Sequence, residues 1–225
     1  RYYTDINYAH NNDVFKFGEA KNNGYNEFDV RGNVDFEIND FISAYARTFV
    51  SLSGSRTANG TGNYWSQAAT FRPNRINPLI PVSYVNESNS NAQTMLTNSQ
   101  NIIDGKYFLN GTTIDQTNVF ADMYASGHST YTARQFQFDA GVNIDLSKVL
   151  KGLTFNAQFA TDYATAYITS YSNTYATFTP SWANYNGTDV ITSLAKINND
   201  KKSGVQNVSA SANKQTMLFS SQFNY

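Results

Sequence analysis

The chain has 225 residues, of which 15% are charged and 15% are aromatic, and its formal net charge is −1. This balance offers no basic surface for nucleic acid, and the absence of cysteine excludes a disulfide framework and thiolate metal sites. Few charges together with 16 Tyr and 16 Phe are unusual for a cytosolic enzyme. They are typical of a β-rich extracellular or outer-membrane protein, although a soluble β-sandwich shares this composition.

Alternation of apolar and polar residues marks six segments of the chain as β-strands. The first segment is RYYTDINYAH, and because its alternation already begins at Arg1 we expect the chain to be a piece of a longer protein. The second, YNEFDVRGNVDFEI, has apolar residues or Gly at even positions from Phe28 to Ile38 and polar residues at odd positions. The predicted strands are 1–10, 25–38, 42–55, 130–146, 153–171 and 208–225. No apolar run approaches the roughly 18–20 residues of a membrane-spanning helix.

The connections between these strands alternate in length. The short ones are 39–41 and 147–152, and the medium to very long ones are 11–24, 56–129 and 172–207. Outer-membrane barrels have short periplasmic turns and long extracellular loops, whereas a soluble sandwich has no reason to sort its loops. Most of the predicted strands also exceed the about 9–11 residues that a tilted strand needs to cross a bilayer. We therefore predict an all-β fold in which residues 1–225 form an arc of about six antiparallel strands from a large transmembrane β-barrel of about 22 strands.

In such a barrel one face of each strand contacts lipid and the other faces a water-filled lumen. The candidates for the lumen face are Asp29, Arg31, Asn33, Asp35, Glu37, Gln135, Gln137, Asp139 and Asn143. Asp29, Asp35 and Glu37 are also compatible with a calcium site, because carboxylates bind hard cations. We interpret them instead as part of a solvated wall with local charge pairing, and no metal site is predicted.

The segment from Tyr25 to Ser55 resembles a strand pair that recurs in the barrels of the SusC/RagA family of TonB-dependent outer-membrane transporters. The matching positions are Tyr25, Phe28, Val30, Arg31, Gly32, Asn33, Val34, Asp35 and Phe36. RYYTDINYAHNND is similar to the strand before that pair, and FQFDAGVNIDLSKVLKGLTFNAQFATDY is similar to the next hairpin. RPNRINPLIPVSYV (72–85) is similar to a family loop, with Pro78, Pro81 and Val82 matching.

The resemblance implies a transporter that imports oligosaccharides or oligopeptides through the outer membrane of a Gram-negative bacterium, one of the Bacteroidota. A SusD-like surface lipoprotein would act as the lid, and TonB would supply energy through parts outside this chain. The family's plug domain is absent from this chain, which would supply barrel wall and extracellular surface. The alternatives are a non-transporting outer-membrane barrel, such as a porin or adhesin, and a soluble carbohydrate-binding β-sandwich or lyase-like β-enzyme.

No catalytic residue and no cofactor are predicted. His128 lies beside Ser129 with Asp122 upstream, but a catalytic triad needs a convergence in space that nothing in the sequence indicates. Aromatic side chains in the long loops are the candidates for contacts with ligand or lid, because their rings stack on the apolar faces of sugars. These candidates are Trp65, Tyr84, Tyr107, Trp182 and Tyr185. WSQAATFR (65–72) is predicted as a short helix in the longest loop.

Overall fold

The computed structural model of the chain describes residues 1–62, 64, 66, 77–114, 116 and 118–225. Its strands, in chain order, are β1 (Tyr2–Asn12), β2 (Gly24–Asn39), β3 (Ile42–Ala58), β4 (Leu79–Pro81), β5 (Tyr107–Leu109), β6 (Gly127–Asp145), β7 (Thr154–Ser172), β8 (Thr177–Tyr185), β9 (Thr188–Ile197) and β10 (Asn207–Asn224). Its helices include α1 (Ser90–Thr97), α2 (Val119–Ala125) and the 3₁₀ helices Gly18–Asn22 and Val82–Tyr84. None of the described helices is long and apolar enough to cross a membrane.

Six long strands form one large sheet in the order β1-β2-β3-β6-β7-β10. Every pair of neighbours is antiparallel, so each of these strands returns beside the one before it. The predicted all-β character with a large antiparallel sheet is confirmed. Each of the six strands begins and ends within three residues of its predicted segment.

The register of the large sheet places apolar residues of all six strands on one side. One row of directly opposed residues runs through Val34, Ala46, Ala140, Phe159 and Phe219. We call this side the apolar face. It carries the even-numbered residues of β1, β2, β3 and β6 and the odd-numbered residues of β7. In β10 it carries the odd-numbered residues after Ala212, where the strand resumes its pairing beyond a β-bulge. The opposite side, the polar face, carries the other residues of the same strands.

The buried core of the chain lies almost entirely outside the large sheet. Among the described residues of that sheet, Ala58 at the end of β3 is the one buried hydrophobic side chain. Phe136, Phe159 and Phe219 keep 41%, 38% and 73% of their surface exposed, and Phe138 is partly buried. In the described part of the chain, the apolar face is therefore not packed against a second layer of protein.

The two longest connections fold together into a cap at one end of the large sheet. We use the name loop cap for residues 77–114, 118–126 and 173–206. Its largest hydrophobic cluster contains Ile80, Val85, Ala92, Leu96, Phe108, Ala176, Phe178, Ile191 and Leu194. The segments 56–129 and 172–207, predicted as loops, thus contain regular structure: the helices α1 and α2, and the small two-stranded sheets β4–β5 and β8–β9.

The hairpin β8–β9 turns at Asn186 and Gly187, whose φ angles are 51° and 86°. Two consecutive positive φ angles are the requirement of a type I′ turn, and Asn-Gly is the residue pair that accepts them best. The pair Asn-Gly between two β-prone segments is a signal for this hairpin that the sequence analysis missed. The first predicted loop, 11–24, likewise contains the 3₁₀ helix Gly18–Asn22, which contacts α2.

Candidate functional site

The polar face of the large sheet gathers the side chains predicted to face a lumen. The predicted residues of β2 are Asp29, Arg31, Asn33, Asp35 and Glu37, and those of β6 are Gln135, Gln137, Asp139 and Asn143. All of them lie on the polar face, with β3 between the two strands. A cavity of about 720 Å³ lies against the middle of this face.

A charged network occupies the centre of the polar face. The guanidinium of Arg47 lies 3.9 Å from the carboxylate of Asp139 and 4.6 Å from the ring centroid of Tyr45. Asp139 also accepts hydrogen bonds from Tyr45 Oη at 3.3 Å and from Gln158 Nε2 at 3.1 Å. One carboxylate therefore accepts two hydrogen bonds and pairs with one cation from β3 and β7, and all of these groups remain in contact with the cavity or with solvent.

The neighbouring row of the polar face combines a cation, an aromatic ring and an incompletely bonded carboxylate. Arg31 lies 5.4 Å from the ring centroid of Phe49, and this row continues through Gln137 to Asp162. Asp162 lines the cavity, and one of its carboxylate oxygens is buried without a hydrogen-bond donor among the described residues.

Sequence reasoning missed several members of this face, although the required signal was present. Tyr45, Arg47 and Phe49 occupy odd positions of β3, and Gln158 and Asp162 occupy even positions of β7. The alternation that defines the apolar residues of these two strands assigns their other residues to the opposite face. The polar face could therefore have been extended over β3 and β7 from the sequence alone.

The carboxylates of β2 do not form a metal-binding cluster in the structure. Asp35 and Glu37 are two residues apart on one strand, which separates their Cα atoms by about 7 Å. Within the ranges that the structure describes, no group of three or more His, Asp or Glu side chains is close enough to share a metal ion.

The three residues considered for a catalytic triad have other partners. Ser129 Oγ donates a hydrogen bond to Asn59 Oδ1 at 3.0 Å. The His128 ring lies 5.3 Å from the ring of Tyr171. Asp122 accepts a hydrogen bond from Tyr175 instead of orienting a histidine. Ser129 and His128 thus have their partners at the loop end of the sheet, and Asp122 has its partner in the loop cap.

Exposed aromatic rings on the loop cap include four of the five predicted contact residues. Tyr84 and Trp182 come together from two different loops, with ring centroids 5.5 Å apart and an interplanar angle of 66°. They remain 44% and 48% exposed, and Tyr107 and Tyr185 are exposed as well. The paired rings offer two inclined apolar surfaces to a ligand or partner. Trp65 and the helix predicted over 65–72 lie outside the described residues, apart from Ser66.

A buried hydrogen bond links the two loops of the cap next to the sheet. Tyr175 Oη donates to Asp122 Oδ1 at 2.5 Å. Burial raises the pKa of Asp122, and the hydrogen bond from Tyr175 opposes that shift. Burial, followed by the hydrogen bond to Asp122, raises the pKa of Tyr175 as well. The pair therefore holds α2 against the segment that follows β7.

The carboxylate of Asp200 forms a second link within the loop cap. It accepts hydrogen bonds from the backbone N–H of Ala176 at 2.9 Å and of Gln100 at 3.1 Å. It also accepts from Asn101 Nδ2 at 2.5 Å and from Ser99 Oγ at 3.2 Å. These four donors belong to two connections of the large sheet, so Asp200 fixes the position of β8 relative to the segment after α1.

Comparison with known proteins does not assign a family. No family model matches the chain, and neither a curated protein nor a solved structure shows a significant match. The similarity to SusC/RagA transporters stays a prediction based on the residues quoted above, and any function must be argued from the two faces of the sheet and the loop cap.

Proposed function

We propose that the chain is part of the wall and extracellular surface of an outer-membrane β-barrel, in a SusC/RagA-like TonB-dependent transporter. One observation carries this proposal. The large sheet is apolar on one side and polar on the other, its apolar face has no protein cover in the described part of the chain, and the buried core lies in the loop cap.

The height of the apolar face fits a bilayer. Along β3 its residues run from Ile42 to Leu52, which is ten residue steps. At about 3.4 Å per residue this distance is about 34 Å along the strand. A tilt of about 45° reduces it to about 24 Å across the membrane, close to the apolar band of about 25 Å in outer-membrane barrels.

The connections at the two ends of the sheet also fit a barrel that crosses the outer membrane. All three long connections of the large sheet, two of which build the loop cap, leave it at one end, and the short turns 40–41 and 146–153 lie at the other. Outer-membrane barrels place long connections outside the cell and short turns in the periplasm. The loop cap is therefore the proposed extracellular surface.

In this proposal the chain acts by solvation and recognition rather than by covalent chemistry. The polar face, with its paired charges, would solvate an oligosaccharide or oligopeptide in the lumen. The ring pair Tyr84–Trp182 would contact either the ligand or a SusD-like lipoprotein lid. Closure into a barrel of about 22 strands, a plug domain and energy from TonB belong to the same proposal.

The two alternatives fit fewer of the observations. A porin or adhesin shares the amphipathic sheet, and it differs in lacking a plug and a lid lipoprotein. A soluble carbohydrate-binding sandwich needs a second sheet on the apolar face. The small sheets β4–β5 and β8–β9 do not supply one, because their buried residues, such as Phe108 and Phe178, pack into the core of the loop cap.

The test compares two adjacent residues of β10 on opposite faces. Phe219→Trp and Leu218→Trp are made separately in the intact protein, with Trp65 and Trp182 changed to Phe, and reconstituted into vesicles. We expect brominated lipid to quench the fluorescence of the residue 219 variant and aqueous iodide to quench that of the residue 218 variant. Equal quenching of both by iodide, or a protein that purifies without detergent, would refute the membrane proposal.

A further inference from the structure

One charge interrupts the apolar face. From the row that contains Ile42 to the row that contains Leu52, Arg134 on β6 is the one charged side chain among the described residues of this face. It is exposed, and its neighbours on the same face are apolar or neutral: Leu52 on β3, Thr165 on β7 and Phe136 on its own strand.

Two other arginines of the sheet have an anionic partner and Arg31 lies against an aromatic ring, whereas Arg134 has neither contact among the described residues. Arg47 lies beside Asp139 on the polar face, and Arg56 pairs with Glu19 at the loop end of the sheet. Arg134 makes no ion pair within the described part of the chain, and no carboxylate lies on the apolar face in the rows beside it. In a bilayer, a cation among these neutral side chains would find its counter-charge outside the chain.

The position of Arg134 identifies the surroundings that can supply this anion. It is ten residues from Ile144, the lowest apolar residue of β6, which corresponds to about 34 Å along the strand. With the same tilt of about 45°, Arg134 lies about 24 Å above that residue, at the upper edge of the apolar band. The next residues above it on this face are polar or aromatic, namely Thr132 and Tyr167. At this height an arginine buries its aliphatic part in the hydrocarbon and extends its guanidinium to the headgroups.

We infer that Arg134 binds the phosphate of a lipid headgroup in the leaflet on the loop-cap side. The inference rests on the proposed function, since it requires the apolar face to lie in a bilayer. The planar guanidinium matches a phosphate through two parallel N–H···O hydrogen bonds, which a lysine cannot reproduce. The contact fixes the depth of β6 in the membrane and makes the barrel selective for phosphorylated lipids at this position.

The test measures phosphatidylglycerol binding by native mass spectrometry of the intact protein in nanodiscs made otherwise of phosphate-free galactolipid. We expect Arg134→Gln to weaken binding about fivefold, since one basic residue near a membrane surface contributes that factor, and Arg134→Lys to lose less. The matched control is Lys214→Gln, which removes one positive charge at nearly the same height on the polar face and should leave binding unchanged. Inorganic phosphate at the same concentration should not displace the lipid.

Three results would overturn the inference: wild-type lipid binding by the Arg134→Gln variant, an equal loss in the Lys214→Gln control, or displacement of the lipid by inorganic phosphate. Failure of the proposed function gives a different result: brominated lipid then does not quench the fluorescence of the Phe219→Trp variant. A protein that inserts into vesicles and binds phosphatidylglycerol equally well with and without Arg134 refutes the lipid contact alone.

Discussion

The aromatic ring of Tyr45 on β3 lies over Gly141 of the neighbouring strand, in the space that a Cβ atom would need. A Cβ built on Gly141 would lie 2.5 Å from Cε1 of that ring. The two residues face each other directly in the β3–β6 register. Because Gly141 has no side chain, the ring lies flat along the polar face and its hydroxyl reaches Asp139.

Gly141→Ala should therefore destabilise the sheet by displacing the ring of Tyr45 from Asp139. We expect a loss of about 1–3 kcal/mol in the free energy of unfolding, the usual range for overpacking, measured by denaturant titration in detergent micelles. The same substitution in a Tyr45→Ser background should cost much less. Equal costs in the two backgrounds would mean that the ring and the glycine are not coupled.

A lysine introduced at mid-height should distinguish the two faces of β7. Thr161 and Ala160 are adjacent, with Thr161 on the apolar face and Ala160 on the polar face opposite Asp139. In lipid vesicles we expect Thr161→Lys to destabilise the folded protein by about 2–4 kcal/mol, the cost of a lysine at the bilayer midplane. Ala160→Lys should have little effect. Similar effects at both positions would contradict a lipid environment for the apolar face.

Asp200→Ala should loosen the loop cap without unfolding the large sheet. The substitution removes an acceptor shared by four donors, and hydrogen bonds to a charged group contribute about 1.5–3 kcal/mol each. We expect faster amide hydrogen exchange at Ala176 and along β8, with unchanged exchange in β3. Asp104→Asn, at an exposed turn of the same cap, is the charge-matched control and should exchange like the wild type.

The buried carboxyl of Asp122 should make the stability of the loop cap depend on pH. Because burial raises the pKa of Asp122 above its ordinary value of 3.8, the folded cap binds a proton more tightly than the unfolded chain does. The resulting stabilisation is complete below the unfolded pKa and is lost as the pH rises through the folded pKa.

We therefore expect wild-type protein to lose cap stability as the pH is raised from about 4, relative to an Asp122→Asn variant. The asparagine keeps an oxygen that accepts the hydrogen bond from Tyr175 but does not titrate. Hydrogen exchange of α2 amides across this pH range measures the difference. Parallel pH profiles for the two proteins would show that Asp122 has its ordinary pKa.

The large sheet could be predicted from the sequence because its residues obey a local rule. Each residue from Phe28 to Ile38 is assigned to a face by the period of two alone, and antiparallel neighbours of similar pattern then align. The loop cap follows no such rule. In its core Phe108 packs with Phe178, and Asn101 donates a hydrogen bond to Asp200. These contacts join segments that are far apart in the sequence, so no local periodicity predicts them.

The candidate site likewise contains residues whose position could be predicted from the sequence and residues whose position could not. The side of the sheet on which Asp139 and Gln137 lie was predictable, and so were Arg47 and Asp162 once the alternation is extended to β3 and β7. The meeting of Tyr84 with Trp182 was not predictable, because it depends on how two separate loops fold against each other. In the sequence, only the position of these two aromatic residues in long loops indicated a contact role.

The opposed rows of the large sheet limit how its length can vary among related proteins. Removing a single residue from the middle of β3 would move the residues of one half of the strand to the opposite face, so that Arg47 would lie on the apolar face and Ala46 on the polar face. Removing two residues would shorten the strand and keep both sides as they are. Insertions and deletions inherited within these strands should therefore occur in even numbers, while the loop cap is free to change by any number.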